Sequence, residues 1–223
     1  MIIRIEKPDN LKYLFSITLL FLTLFGLFLS SPKAEGQDVS FDRVGKEKVL
    51  IVYLSRTGNT GAIAKIIHEE VGGDMVELKL KTPYPEDYHA IVAQVVRENE
   101  TGYLPPLKTK IENIQDYDTV FLGFPTWGMQ LPPPMKSFLH EYDLSGKTVI
   151  PFNTNGGYGV GSSFQTVQDL CPDSNILKGF SIKGGSERDG IYLAIKGEKR
   201  KEACTKIIDW LQSIGILQPL NHK

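Results

Sequence analysis

The chain has 223 residues, of which 41% are hydrophobic and 23% are charged, which is typical of one globular domain with an appendage and not of a disordered chain. Its formal net charge is −1, which argues against a nucleic-acid partner, because nucleic-acid binding needs a clustered basic surface. The two cysteines and four histidines are scattered without the spacing of metal ligands, so no metal site is predicted.

The first 37 residues are predicted to be a signal peptide or an N-terminal membrane anchor. Residues 13–29 (YLFSITLLFLTLFGLFL) form an uncharged run of 17 residues, at the short end of the roughly 17–25 residues that span a bilayer. Three basic residues precede this run and mixed charge follows it, so the positive-inside rule places the globular domain outside the cytoplasm, either periplasmic or membrane-anchored. The alternatives are a buried core helix and a cytoplasmic protein.

The remaining chain is predicted to be one domain at residues 47–217, with a linker at residues 38–46 before it and a tail at residues 218–223 after it. Within the domain, apolar runs of strand length alternate with amphipathic helical patterns. The predicted strands lie at residues 48–55 (KVLIVYLS), 74–80 (DMVELKL), 118–125 (DTVFLGFP), 147–154 (KTVIPFNT) and 176–184 (ILKGFSIKG). The predicted helices comprise one that ends at residues 72–73 and others at residues 82–99, 132–142, 161–171 and 198–216.

This alternation predicts an α/β fold, a doubly wound five-stranded parallel sheet with helices on both faces. Pro151 restricts the pairing of its strand, because proline has no N–H to donate. The apolar positions of two helices are Ile91, Val92, Val95 and Val96 in the second and Ala203, Ile207, Ile208, Leu211 and Ile214 in the last. Residues 184–197 do not fit the alternation and are expected to form a surface excursion.

A hydroxyl-rich turn follows the first predicted strand at residues 55–60 (SRTGNT). Ser55, Thr57 and Thr60 offer hydroxyl donors, and Gly58 lets the backbone approach a ligand closely. The helix that begins there adds the positive end of its dipole, so the turn predicts a phosphate site. A Walker loop is excluded because its Gly-Lys-Ser/Thr sequence is absent. The alternative is an ordinary helix cap, with Arg56, the only cation of the turn, facing either the ligand or solvent.

Two further loops follow the third and fourth predicted strands. The loop at residues 125–134 (PTWGMQLPPP) carries a tryptophan, and the loop at residues 153–161 (NTNGGYGVG) carries a tyrosine among glycines. Because ligands of such sheets bind at the carboxyl ends of the strands, all three loops are expected to meet. The glycines of the third loop match a dinucleotide fingerprint only weakly, because no acidic residue follows at the required distance. A phosphate site with Trp127 and Tyr158 on the two faces of a flat ring predicts flavin mononucleotide (FMN).

These loops resemble those of the flavodoxin-like family, in particular its bacterial flavodoxins, over residues 47–217. SRTGNT is similar to the family's phosphate loop, and FPTWG with the prolines and SFL that follow is similar to its ring-contacting loop and next helix. The resemblance implies the strand order 2-1-3-4-5. It also places Cys171 and Cys204 on opposite faces of the sheet, where they are too far apart for a disulfide.

The resemblance implies that all three loops contribute to the FMN site. The phosphate would be held by Ser55, Thr57, Gly58, Asn59 and Thr60, with Arg56 as the adjacent cation. One side of the ring would be lined by Pro125, Thr126, Trp127 and Gly128. The other side would be lined by Asn153, Thr154, Asn155, Gly156, Gly157, Tyr158 and Gly159.

Three functions are compatible with this site. The first is a carrier that passes single electrons between redox partner proteins and has no catalytic residues of its own. The second is an NAD(P)H-dependent FMN oxidoreductase that reduces quinones or other small acceptors, with Arg188 and Tyr192 helping to build a second pocket. The third is an interaction module without a cofactor. The fold alone does not separate these functions, although the sequence favours the carrier.

Overall fold

The computed structural model describes residues 48–218 of the chain. The predicted leader, the linker and the last five residues of the tail lie outside the described residues. Within residues 48–218, no helix is long and apolar enough to cross a membrane.

The described chain alternates between strands and helices from its start to its end. The strands are β1 (Val49–Tyr53), β2 (Asp74–Glu77), β3 (Thr119–Pro125), β4 (Thr148–Asn155), β5 (Asn175–Ile176) and β6 (Phe180–Lys183). The helices are α1 (Asn59–Val71), α2 (Tyr88–Thr101), α3 (Pro133–Glu141), α4 (Ser163–Leu170) and α5 (Glu198–Ser213). Short 3-10 turns lie at Ile114–Asp116 and Glu187–Asp189.

The strands form a parallel sheet with the order β2-β1-β3-β4-β5, and β6 also pairs with β4. In the central register, Ile51 lies beside Phe121, which lies beside Ile150. The interiors of β1, β3 and β4 are buried, as expected for strands covered on both faces. The predicted fold class and the strand order implied by the resemblance are confirmed.

The fifth predicted strand is divided into β5 and β6 opposite Pro151. The Val149 carbonyl accepts a hydrogen bond from Leu177 N at 3.0 Å, so Pro151, two residues later, also faces this side. Proline has no N–H to donate there, and pairing resumes only where Phe152 lies beside Phe180. The missing N–H of Pro151 thus explains why the predicted single strand is split into β5 and β6.

Two apolar cores cover the two faces of the sheet, because successive strand side chains point to opposite faces. On one face, Leu50 and Phe124 pack with Phe138 of α3 and with Cys171. The other core contains Ile51, Phe121, Ile63, Ile67, Ile207 and Leu211, and the half-buried Cys204 packs against it. The two thiols are free and belong to different faces, as the resemblance implied.

Two helices bury only part of the apolar face that the sequence predicted, since Ala203, Ile207 and Leu211 of the last helix are buried as predicted. In α5, Trp210 is buried while Ile208 and Ile214 are only half-buried, because the Trp210 indole N–H reaches the Lys178 carbonyl at 2.8 Å and its ring packs on Phe180. In α2, by contrast, the apolar stripe is wider than the core that it meets. Ile91 and Val95 are buried, whereas 43% of Val92 and 45% of Val96 is exposed.

Candidate cofactor-binding site

A cleft of about 630 Å³ opens beyond the carboxyl ends of β1, β3 and β4. It is lined from the first predicted loop by Arg56, Thr57, Asn59 and Thr60, from the second by Pro125, Thr126, Trp127 and Gly128, and from the third by Thr154, Asn155, Gly156, Tyr158 and Gly159. The structure therefore brings together the three loops that the sequence singled out. Ser55, Gly58, Asn153 and Gly157 do not line this cleft.

The first loop presents unpaired backbone donors at the N-terminus of α1. Gly58 precedes the helix with a φ of 84°, a left-handed conformation that glycine adopts at little cost. Ser55 Oγ accepts a hydrogen bond from Gly61 N at 3.1 Å and so caps one donor. Within the described residues, the backbone N–H groups of residues 57–60 have no acceptor. These donors and the helix dipole suit an anion such as a phosphate.

The Thr60 hydroxyl joins the first loop to the third. Thr60 Oγ1 lies 2.8 Å from Thr154 Oγ1, and both residues are buried. The hydroxyl predicted to face a phosphate is thus already hydrogen-bonded to the neighbouring strand. The contact fixes the spacing between α1 and the end of β4, which form one side of the cleft.

The Asn59 side chain fastens residues 184–197 to the first loop. Its Oδ1 accepts hydrogen bonds from Ala194 N at 2.9 Å and from Ile195 N at 3.1 Å. Its Nδ2 donates to the Tyr192 carbonyl at 2.6 Å and to Thr57 Oγ1 at 2.9 Å. All four bonds that a carboxamide commonly forms are therefore made within the protein. The predicted surface excursion is anchored at its C-terminal half, and the backbone of Asn59 is what remains for a ligand.

Arg56 bridges the two rims of the cleft. Its guanidinium donates to Glu187 in a bidentate ion pair, with Nη2 2.8 Å from Oε1. It also donates to the carbonyl oxygens of Pro85 and Glu86 at 2.9 and 2.6 Å. The hydrogen bond to Glu187 raises the pKa of Arg56 above its usual value. Arg56 therefore lies at the cleft, with 20% of its side chain exposed, and its charge is already balanced by a carboxylate.

The second loop turns sharply around Trp127. The backbones of Trp127 and Gln130 exchange hydrogen bonds at 3.1 and 3.3 Å, and the two residues between them have φ values of 58° and 60°. This is the pattern of a type I′ turn. The Trp127 ring meets Tyr84 edge to face, with centroids 5.4 Å apart, so the indole is held in place at the cleft wall.

Tyr158 of the third loop remains accessible on the rim. Its side chain is 68% exposed, and its hydroxyl accepts a hydrogen bond from Arg188 Nη2 at 3.1 Å. Trp127 and Tyr158 therefore border one cleft, as the sequence predicted. Whether they cover the two faces of one ring stays a prediction.

Asn153 was predicted to line the ring site, but it is fully buried beneath the loops. Its Nδ2 donates to the Phe124 carbonyl at 3.1 Å and to Thr126 Oγ1 at 3.0 Å. Thr126 Oγ1 in turn donates to the Gly159 carbonyl at 2.9 Å. Asn153 thus joins the second and third loops from below. Gly157 is turned towards Lys183, whose Cε would lie 3.3 Å from an added Cβ.

Several cleft residues were absent from the predicted FMN site. They are Tyr88, Ile91, Val92, Val95, Val96, Asn99 and Glu100 of α2, Met129 and Gln130 of the second loop, and Gly184, Gly185, Ser186, Glu187 and Arg188. Of these, Arg188 was predicted to help build a second pocket together with Tyr192, which does not line this cleft. The α2 residues could have been found from the sequence, because the apolar stripe of this helix is wider than the core that it covers. The contribution of residues 184–188 follows from the anchoring by Asn59 and Arg56, which no local pattern reveals.

Comparison with known proteins identifies the family. The family model described as Flavodoxin matches residues 48–195, which is more than half of the chain. A flavodoxin from Nostoc sp. is 24% identical over 148 residues, covering 65% of this chain and 72% of the relative. A second curated relative, a flavodoxin from Synechocystis sp., is 25% identical over 130 residues, covering 56% of this chain and 62% of the relative.

Solved structures show the same fold. A flavoprotein from Bacteroides eggerthii is 30% identical with a TM-score of 0.61, covering 76% of this chain and 98% of that chain. A flavoprotein from Lactobacillus acidophilus, solved in complex with FMN, has a TM-score of 0.54 at 21% identity, covering 65% of this chain and 98% of that chain. At that identity the second likeness concerns the fold alone. Through the family match, this chain belongs to the flavodoxin family, whose cofactor is FMN.

Proposed function

We propose that this protein binds FMN in the three-loop cleft and carries single electrons between redox partner proteins. The observation that carries the proposal is the set of unpaired backbone N–H groups at residues 57–60, which opens into the cleft that Trp127 and Tyr158 also border. When bound, FMN supplies the redox chemistry, and the protein supplies binding, orientation and electrostatics.

The first loop would hold the phosphate with neutral donors. Backbone N–H groups and the dipole of α1 favour the anion, and the loop's only cation, Arg56, is matched by Glu187. The phosphate charge is therefore not cancelled by a free cation of this loop. That arrangement disfavours the accumulation of further negative charge on the ring during reduction.

The second loop would position the ring and shield it from water. Trp127 presents a half-buried indole that is held against Tyr84. The type I′ turn beside it places the peptide group of Gly128 at the cleft, and an added Cβ there would meet nothing within 4 Å. Glycine tolerates either orientation of this peptide group, so the turn can offer its carbonyl or its N–H to the ring.

The second candidate function is an NAD(P)H-dependent FMN oxidoreductase. The specific observation in its favour is that the cleft extends past the loops along α2 and over residues 184–188, which leaves room for a second reactant. A carrier needs no such space, because its electrons pass to a protein at the exposed edge of the ring.

An extracytoplasmic location is part of the proposal. It rests on the uncharged run at residues 13–29 and the basic residues before it. Fusing a reporter enzyme that is active only after export to the C-terminus of the full chain and of a chain lacking residues 1–37 tests this part. Reporter activity that requires the leader supports export, and equal activity in both contradicts it.

A reductive titration of the purified protein with FMN tests the function. Binding is followed by the flavin absorption spectrum, and reduction is then carried out stepwise without oxygen. Uptake of the two electrons in separate one-electron steps supports the carrier. Uptake in a single two-electron step, together with rapid reduction by NAD(P)H, supports the oxidoreductase. Failure to bind FMN would contradict both and leave SRTGNT as a helix cap.

A further inference from the structure

Glu98 of α2 is a buried carboxylate that is held only by neutral groups. The residue is 6% exposed, and within residues 48–218 no cationic side chain forms an ion pair with it. Tyr84 Oη donates a hydrogen bond to Glu98 Oε2 at 2.5 Å, and Gln94 Nε2 donates to Glu98 Oε1 at 2.8 Å. A buried charge without an opposite charge is costly, and buried ionisable groups concentrate at functional sites.

Tyr84 connects this carboxylate to the edge of the candidate cofactor site. Its ring meets the Trp127 ring edge to face, with centroids 5.4 Å apart, and Trp127 borders the cleft. Burial, followed by the hydrogen bond to Glu98, raises the pKa of Tyr84 above its ordinary value, so the phenol keeps its proton in the resting protein. The indole, the phenol and the carboxylate therefore form a continuous path that leads away from the cleft.

The phenol also borders a second concave surface. A pocket of about 660 Å³, the side pocket, is lined by Trp127 and Tyr84 together with Leu80, Lys79 and Lys108. Tyr84 lines this pocket and not the cleft. The Lys108 side chain is exposed and forms no ion pair within the part of the chain that the structure describes. Its positive charge favours a small anion at the side pocket.

We propose that Tyr84 is a redox-active residue that returns an electron to Trp127 after this indole has been oxidised, while Glu98 accepts the phenol proton. A one-electron oxidant first removes an electron from Trp127 and leaves an indole radical cation. An electron then passes from Tyr84 to Trp127, and the proton of Tyr84 Oη passes to Glu98 Oε2. The indole is restored, and a neutral phenoxyl radical and a neutral carboxylic acid remain.

Two features of the site favour this transfer. A phenol that has lost an electron is a strong acid, and its proton already lies in a hydrogen bond to Glu98. The transfer also neutralises the buried carboxylate and so removes the cost of burying its charge. An anionic one-electron reductant at the side pocket, for which ascorbate is the probe, completes the cycle. It gives one electron to the phenoxyl radical, and Glu98 returns the proton to Tyr84.

The class of oxidant is an oxygen-derived radical. Dioxygen that is reduced at the cleft of the proposed flavoprotein yields such radicals beside Trp127, so the source of the oxidant rests on the proposed function. The transfer from Tyr84 to Trp127 does not require FMN. It is measurable on the purified full chain without added cofactor.

Pulse radiolysis with azide radicals tests the transfer, because these radicals remove one electron from indole side chains. Indole and phenoxyl radicals absorb at different wavelengths, so both are followed in one experiment. In the wild type, we expect indole signal to convert to phenoxyl signal at a rate that is independent of protein concentration and slower in deuterium oxide. Trp127→Phe should abolish this conversion, because the other tryptophan, Trp210, has ring contacts with Phe121 and Phe180.

Two variants and a matched control assign the phenol and the proton acceptor. Tyr84→Phe keeps the ring and removes the hydroxyl, and it should abolish the conversion. Glu98→Gln keeps an oxygen that accepts the hydrogen bond but does not take the proton. It should slow the conversion about a hundredfold, as the loss of a positioned proton acceptor implies.

Tyr117→Phe is the control, since Tyr117 Oη donates to Asp74 Oδ2 at 2.7 Å. This phenol–carboxylate pair has no ring contact with a tryptophan among the described residues. The control should therefore convert at the wild-type rate. Circular dichroism and thermal unfolding establish that each variant is folded.

The outcomes separate the parts of the proposal. Phenoxyl formation at the same rate in Tyr84→Phe would overturn it, because the electron would then come from another tyrosine. Equal rates in water and deuterium oxide would overturn the proton transfer, and this measurement on the wild type does not depend on the folding of a variant. Equal rates in the wild type and Glu98→Gln would overturn the assigned acceptor.

Ascorbate tests the side pocket. It should shorten the lifetime of the phenoxyl radical, and Lys108→Gln should weaken this effect about twofold, as expected for one exposed charge. A lifetime that ascorbate does not change would overturn the role of the side pocket. FMN titrations of the same samples test the proposed function separately. FMN binding without radical conversion would overturn only this inference, and conversion without FMN binding would overturn only the proposed function.

Discussion

Arg56 lies in the predicted phosphate loop, yet its charge is balanced by an ion pair with Glu187. The bidentate ion pair is only 20% and 14% exposed on its two side chains, so it is shielded better than a surface pair. The carboxylate therefore places a negative charge beside an anion site. The pair secures residues 187–189 over the cleft at some cost in affinity for the anion.

Glu187→Gln is expected to tighten FMN binding roughly fivefold at low salt, as the removal of about 1 kcal/mol of charge repulsion implies. The glutamine still accepts a hydrogen bond, and the bonds from Arg56 to Pro85 and Glu86 remain. Riboflavin, which lacks the phosphate, is expected to bind both proteins equally. Fluorescence titrations with both flavins at two salt concentrations measure the effect. Equal changes for FMN and riboflavin would contradict it, and Glu112→Gln controls for net charge.

The roles of the two buried asparagines were not accessible from the sequence. Asn59 was predicted to contact phosphate, but its side chain binds backbone groups more than 130 positions away. Asn153 was predicted to face the ring, but it is fully buried under the loops. A turn motif states which residue types a ligand needs. It does not state which of those side chains instead form hydrogen bonds within the protein, because contacts between residues distant in sequence leave no local pattern.

At the scale of elements, periodicity predicted the strands and helices well because burial on both faces gives continuous apolar runs. The exceptions have identifiable causes. Pro151 splits the strand beside it, since its missing N–H faces β5 and β6. Val92 and Val96 continue the apolar pattern of α2 where no core covers them. A hydrophobic pattern predicts what avoids water, but it does not distinguish a core from a cleft.

The conformation of the second loop depends on Gly161, which lies two residues before α4 and packs against Met129 of that loop. Gly161 has a φ of 56°, and an added Cβ would overlap the carbonyl of Met129. That carbonyl also accepts a hydrogen bond from Ser162 N at 3.0 Å. The residue therefore fixes the type I′ turn beside Trp127 from the neighbouring loop.

Gly161→Ala is expected to lower the free energy of unfolding by about 3 kcal/mol or more, because a backbone clash adds to an unfavourable φ. Gly102→Ala is the matched control, since Gly102 also has a positive φ, 65°, but an added Cβ meets nothing within 4 Å. The control is expected to cost only about 1–2 kcal/mol and to leave FMN affinity unchanged. Denaturant unfolding and FMN titration measure both effects. Equal destabilisation by the two substitutions would contradict the clash.

At the scale of the whole molecule, the formal net charge of −1 sets this chain apart from a strongly acidic carrier. Long-range steering of a basic partner requires a large field of one sign. Recognition of a redox partner would then rest on short-range contacts around the cleft, where Tyr158, Arg188 and Met129 are exposed or lie at the rim. If the protein is the proposed carrier, we expect electron transfer to a partner protein to vary little with salt concentration.

The two cores give the two cysteines different chemistry. Cys171 is buried in the core of α3 and α4, and burial raises the pKa of its thiol to about 11 from an ordinary value near 9. Cys204 is half-buried against the other core, and burial, followed by the nearby Glu70, raises its pKa as well. A thiol reagent is expected to modify Cys204 alone in the native protein and both cysteines in denaturant.

Cys171 should also make stability depend on pH in alkaline solution. As the pH rises above about 9, the unfolded chain loses the thiol proton while the native protein keeps it until about pH 11. The unfolded state then binds fewer protons, so the free energy of unfolding falls across this window. Cys171→Ala is expected to show a shallower fall than the wild type between pH 9 and 11, measured by denaturant unfolding at each pH. Identical slopes for the two proteins would show that the Cys171 thiol titrates alike in the native and unfolded states. Cys204→Ala, which removes the thiol on the other face of the sheet, is the comparison variant.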